Sequence, residues 1–103
     1  MTAAELQRTT ALREANRIRT YRAQLKPKVK AGVVAAEELL RDPEPELHSM
    51  RVFDLLMAMP STGRARSNAM LRRARVSPSK TIGGLSERQR VELLALLVLR
   101  SAA

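Results

Sequence analysis

An all-α fold is predicted by three observations. Aromatic residues make up only 2% of the chain, Tyr21 and Phe53, while hydrophobic residues reach 45%. The core must therefore be assembled from Leu, Val, Met and Ala, which suit helices better than strands. Apolar residues recur at three- and four-residue intervals over most of the chain, and clusters of Gly, Pro and Ser separate these periodic stretches. The spacing yields about five helices: a long basic N-terminal helix followed by a compact helical domain.

Residues 3 to 30 read as one long helix, with no glycine before Gly32. A weak apolar stripe runs through Ala11, Ala15, Ile18, Leu25 and Val29. Arg13 and Arg17 lie four apart, as do Arg22, Lys26 and Lys30, so each row sits along one helix face. Pro27 removes a backbone donor, and a kink or break is expected between Ala23 and Pro27. Gly32 ends the helix. A short second helix is expected over Val33 to Arg41, burying Leu39 and Leu40. Asp42-Pro43-Glu44-Pro45-Glu46 then forms a rigid acidic connector.

Leu47 to Met59 has a helical pattern in which Val52, Leu55, Leu56 and Met59 share a face. Phe53 lies beside that face and Asp54 opposite. His48 is the single histidine and reads as an exposed loop residue. Pro60-Ser61-Thr62-Gly63 breaks the pattern, because proline disfavours helical geometry before it and Gly63 permits a left-handed turn. The next helix is expected over Thr62 to Arg75, packed through Ala65, Ala69, Met70 and Ala74. Val76-Ser77-Pro78 ends it. Ser79 to Leu85 is a loop turned by Gly83-Gly84. Ser86 and Gln89 have the capping-box spacing and open a last helix to about residue 99, apolar on more than one side. The division expected is 1–46, comprising the basic helix, the short helix and the acidic linker, and 47–103, the core domain of one compact unit.

The net charge is +9 and the pI about 11.4, so polyanions are the expected partners. The charge is zoned. Residues 61–90 hold eight Lys or Arg against Glu87 alone, and residues 1–41 hold nine against four acids; residues 42–60 between them hold four acids and one Arg. The turn at Ser61 to Arg66 places Arg64 and Arg66 in the first turn of a helix, where outward N–H groups bind phosphate. The loop at Ser79 to Gly84 repeats the device ahead of the last helix.

No apolar run is long enough to span a bilayer, and residues 1–15 lack the apolar centre of a signal peptide. A cytoplasmic location is expected. The chain has no cysteine, which removes disulfides and cysteine-ligated metals. Paired acids at an active-site spacing, a metal cluster and a nucleotide-hydrolase phosphate loop are all missing from the sequence, so a binding protein without cofactor is expected rather than an enzyme.

Met50-Arg51-Val52, Leu55-Leu56, Met59-Pro60, Gly63-Arg64-Ala65, Val76-Ser77-Pro78, Gly84-Leu85 and Arg88-Gln89-Arg90 resemble, in order and spacing, the DNA-binding core of the actinobacterial integration host factors. The resemblance spans about Ser49 to Leu97. It implies a helix-two-turns-helix domain, similar to those of a small-subunit ribosomal protein and of some DNA repair glycosylases. It also implies a nucleoid-associated protein that binds and bends double-stranded DNA with little sequence preference and assists phage integration.

On this resemblance the DNA-binding residues would be Ser61, Thr62, Gly63, Arg64, Arg66, Arg72, Arg73, Lys80, Gly84 and Arg88. A second DNA surface would comprise Arg19, Arg22, Lys26 and Lys30. A recombinase would be met through the DNA, and the free protein would be a monomer. The family's loop before Gly-Leu is richer in arginine. Thr81 and Gly83 stand here where cations are expected, a divergence that would suit a phage-encoded or paralogous member. Two other readings use the same residues: a structured-RNA-binding protein, and an interaction subunit that docks through its leucine-rich last helix.

Overall fold

The computed structural model describes residues 2–102. Among the described residues there are five α-helices: α1 (Ala3–Lys30), α2 (Ala36–Arg41), α3 (Val52–Ala58), α4 (Gly63–Arg73) and α5 (Glu87–Ala102). A single 3-10 turn, Pro45–Leu47, lies between α2 and α3. Among the described residues there is no strand, only one isolated antiparallel bridge between Arg51 and Thr81.

α1 opens with a capping box. The Glu5 amide donates to Thr2 Oγ1 at 3.2 Å, and the Thr2 amide to Glu5 Oε2 at 3.3 Å. The expected break near Pro27 does not occur, and the helix runs through it to Lys30. Two features explain this. Pro27 falls in the last turn, and Ala23, whose carbonyl loses its intrahelical donor, is exposed to water. Regular bonding resumes at once, with the Ala31 amide donating to Pro27 O at 2.9 Å.

The second helix starts at Ala36, not Val33. The amides of Val33 and Val34 both turn back to Lys28 O, at 2.9 and 3.3 Å, so they terminate α1 instead of starting α2. Gly32 makes that reversal with φ +77°.

Residues 47–51 are not α-helical, contrary to the periodicity. Two of their carbonyls, those of His48 and Met50, serve partners far along the chain. His48 O accepts from the Gly83 amide at 2.9 Å and Met50 O from the Ile82 amide at 2.8 Å; the Val52 amide donates to Lys80 O at 3.0 Å. This two-stranded contact fastens the 77–86 loop to the start of α3. The last two helices also differ in length from the pattern, α4 ending at Arg73 and α5 reaching Ala102.

The core lies where α2, α3, α4 and α5 meet. Leu40, Leu47, Val52, Leu55, Leu56, Leu71, Ile82, Leu93 and Leu97 are essentially inaccessible to water. Burying each such side chain contributes about 1.5–3 kcal/mol relative to exposure. α3 packs against α4, and α2 against α5. The buried face of α4 is Ser67 and Leu71, continued by Ala74 at its C-cap, rather than one beginning at Ala65, which is exposed. Ser67 is accommodated there because its hydroxyl donates to Gly63 O at 2.8 Å.

α1 packs on this body only through its C-terminal half. Val29 is buried, Ile18, Tyr21 and Leu25 are half-buried, and nearly everything before Ile18 is exposed. Hence the molecule measures 57 × 27 × 23 Å with a radius of gyration of 15.5 Å, against ~13 Å for a compact chain of about this length.

Candidate nucleic-acid interface

The first turn, Pro60–Gly63, reverses the chain with two left-handed residues: Ser61 at φ 57° and Gly63 at φ 70°. A Cβ on Gly63 would meet nothing within 4 Å, so glycine is favoured for its backbone angle, not for space. Thr62 stands at the cap of α4, yet its side chain is buried and does not cap the helix. Its hydroxyl donates backward to Pro60 O at 3.3 Å. The first turn of α4 therefore has no side-chain cap and no acid. Its N–H groups and the positive end of the helix dipole remain available to an anion. Ser61, Gly63, Arg64 and Arg66 are exposed around it, and Arg66 Nη1 donates to Ser61 O at 3.3 Å.

The second turn is built differently. Ile82, fully buried, anchors the loop. The Gly84 amide donates to Thr81 Oγ1 at 3.2 Å. At Gly83 space decides: a Cβ would fall 2.9 Å from His48 Cβ and 3.0 Å from His48 O. α5 is capped as its sequence predicts, with the Gln89 amide on Ser86 Oγ at 3.1 Å and the Ser86 amide on Gln89 Oε1 at 3.0 Å. Gln89 Nε2 also donates to Arg75 O at 2.9 Å, joining the end of α4 to the start of α5.

The two turns lie at opposite ends of α3, whose seven residues span ~10 Å. Arg64 and Arg66 are at the first; Arg72 and Arg73, both exposed, are at the far end of α4 near the second. A groove of about 390 Å³ beside the second turn brings together Arg75, Lys80 and Arg88 with Ser86 and Glu92. Arg88 is already paired with Glu92 at 3.2 Å. Arg75 was not singled out by the sequence, although the run Arg72-Arg73-Ala74-Arg75 contains it. It sits just past α4 in a left-handed conformation, φ 58°, and supplies a cation beside Lys80 where Thr81 and Gly83 supply none.

The expected second surface is divided. Lys26 and Lys30 are exposed and border a groove of about 450 Å³ between α1 and α3, with Asp54 and Met57 opposite. Arg19 is exposed on α1, its Nη1 near Asn16 Oδ1 at 3.4 Å. Arg22 is turned inward: Nε donates to Glu46 O at 3.1 Å and Nη2 to Ser49 Oγ. Arg17 bridges Glu14 and Glu46. The hydrogen bond from Arg17 holds both carboxyls below their ordinary value, and those two carboxylates in turn raise the Arg17 guanidinium. The acidic connector thus pins α1 to the body.

Among the described residues no helix is long and apolar enough to cross a membrane, and no three His, Cys, Asp or Glu are grouped to hold a metal ion. His48 is exposed, with Nε2 3.3 Å from Pro43 O.

Comparison with known proteins matches residues 28–97 to the S13-like H2TH domain family. The integration host factors of Mycobacterium tuberculosis and Mycolicibacterium smegmatis are each 34% identical over 90 residues, covering 85% of this chain and 86% of theirs. Among solved structures, that of sIHF bound to an 8 bp palindromic DNA superposes with a TM-score of 0.74 at 24% identity, covering 82% of this chain and 98% of that one. The all-α architecture and the motif order at 50–90 agree with these matches, and the chain belongs to the actinobacterial integration host factor family, built on an S13-like H2TH domain.

Proposed function

We propose that this protein binds double-stranded DNA as an architectural, nucleoid-associated factor, through phosphate contacts with little sequence preference, and bends the duplex. The uncapped N-terminus of α4, ringed by Ser61, Gly63, Arg64 and Arg66, is the observation that supports this most directly. It offers backbone donors, a positive helix end and two exposed cations without any base-reading geometry. Arg72, Arg73, Arg75, Lys80, Gly84 and Arg88 extend the surface to the second turn. The spacing of the two turns suits contacts to phosphates on both sides of one groove. Family membership and the DNA-bound relative support the same reading.

Bending follows if Arg19, Lys26 and Lys30 on α1 engage the same duplex. Two separated basic surfaces on one protein draw the DNA around it, at a cost that falls on flexible base steps. Assistance to a recombinase would pass through the bent DNA, with the protein binding as a monomer and performing no chemistry of its own. An RNA role has less support. Single-strand recognition uses exposed aromatic rings, whereas Tyr21 and Phe53 are half-buried and Arg51 lies over Phe53, 6.0 Å from its centroid.

The test is energy transfer between dyes at the two ends of a duplex of about 30 bp, short against the ~150 bp persistence length. Saturating protein should bring the ends closer, and Lys26→Ala with Lys30→Ala should reduce the effect while binding persists. Binding without any change in end-to-end distance would remove bending from the function. Failure to bind the duplex would remove the whole reading.

A further inference from the structure

α5 is more apolar than its packing requires. Leu93 and Leu97 are fully buried against the core, yet Val91, Val98 and Leu99 on the same helix are 54%, 53% and 64% exposed. A helix that is apolar on all sides is ordinarily covered on all sides. The exposed strip continues into a groove of about 660 Å³ between α4 and α5. Its floor is Met70, Leu96 and Leu99. Its rim carries Arg66, Arg73 and Arg100, and no acid lines it. Arg100 is fixed in place by a bond from Nη2 to Pro60 O, at the end of α3.

We propose that this groove is a docking site for an acidic amphipathic helix of a partner protein. An apolar floor between arginines complements a helix with leucine-type residues at i, i+4 and i+7 and carboxylates flanking them. Arg66 and Arg73 stand two turns apart on α4, so they match about two turns of a bound helix. Charge decides against a second copy of this chain. With a net charge of +9, two copies joined through this face would bring their arginine rims together without compensating acids. The rim shares Arg66 and Arg73 with the proposed DNA surface, whereas the floor belongs to α5 and to the side of α4 that faces it, so the peptide is titrated without DNA.

The experiment titrates the full chain, without DNA, with a designed acidic helix of about 14 residues, roughly 21 Å long. Its leucines stand at i, i+4, i+7 and i+11, with glutamates beside them. A scrambled peptide of identical composition is the control. Amide chemical shifts map the site. The amphipathic peptide should perturb Met70, Leu96 and Leu99 and bind at least ~10-fold more tightly than the scramble, and Leu99→Asp should weaken it by a similar factor. Leu99 is exposed, so this variant keeps the fold, which its circular dichroism and thermal unfolding check.

Equal binding of both peptides would reduce the effect to net charge and overturn the proposal. So would concentration-dependent self-association abolished by Leu99→Asp, which assigns the face to a second copy. Binding to vesicles of anionic lipid without binding to the peptide would assign it to a membrane surface and overturn the proposal equally.

Discussion

Gly83 lies against His48. The Gly83 amide donates to His48 O at 2.9 Å, and a methyl group on Gly83 would fall 2.9 Å from His48 Cβ. The neighbouring bonds, Ile82 to Met50 and Val52 to Lys80, complete a clasp that sets the second turn at the start of α3. One relationship between residues 35 positions apart thus places the second turn on the domain.

Gly83→Ala should therefore open the clasp. Two of the three nearest atoms are backbone or Cα atoms of His48, so the neighbour cannot simply rotate away. A loss of about 1–3 kcal/mol is expected in denaturant unfolding. Gly84→Ala should cost less, because its nearest atom is the Thr81 hydroxyl, which can turn. Equal and negligible effects would show that the loop is not held this way.

Gly63→Ala tests a different cause. There is open space around the position, and only the φ of +70° opposes a side chain. A left-handed alanine costs about 1–2 kcal/mol. Gly63→Asn, which tolerates that conformation better, should recover part of the loss. If alanine and asparagine behave alike, backbone strain is not what selects glycine.

Gln89→Ala should remove two bonds at once, the one to the Ser86 amide and the one to Arg75 O. About 1 kcal/mol is expected from the cap. Ser86→Ala breaks the cap but leaves the bond to Arg75 O. The glutamine variant should accordingly be the less stable of the two in thermal unfolding.

The sequence showed some of this and hid the rest for physical reasons. Helical periodicity located α3, α4 and α5, and the Val52, Leu55, Leu56, Met59 face is buried as its spacing predicts. The Ser86–Gln89 cap was legible because both partners lie within one turn. Residues 47–51 misled because the His48 and Met50 carbonyls bond to the amides of residues 83 and 82, a pairing that local pattern cannot contain. Thr62, where the next helix is expected to begin, stands just before it, and its hydroxyl reaches back to Pro60 O. Arg22 looked like one of a solvent-facing row until the connector folded over it and offered Glu46 O and Ser49. The Thr2–Glu5 box was within reach of the sequence, a Thr and a Glu at capping spacing.

The Arg17–Glu46 bridge gives α1 an acid-sensitive attachment. The Glu46 carboxyl is held below its ordinary value of 4.5, chiefly by the hydrogen bond from Arg17. A depressed folded-state value means that the bridge stabilises the protein fully above the unfolded-state value. That contribution is lost as pH falls through the folded-state value. The amide protection factors of Ile18 to Val29, taken against the intrinsic exchange rate at each pH, should be constant from neutral pH down to the ordinary carboxylate range and then fall relative to those of Glu46→Gln. Parallel profiles for the two proteins would mean that the bridge does not hold α1. Both partners reach solvent, so the effect is small and should shrink further in salt.

The central claim is that exposed cations at the α4 turn bind DNA phosphates. The most direct measurement is affinity for a short duplex of arbitrary sequence across a salt series, for the natural chain and for Arg64→Ala with Arg66→Ala. Each phosphate contact contributes about 0.9 to the slope of log affinity against log salt. The account predicts a steep slope for the natural chain, little change when the duplex sequence is altered, and a slope shallower by about 1–2 in the double variant, whose fold is intact by circular dichroism. An unchanged slope and affinity in the folded variant would contradict it.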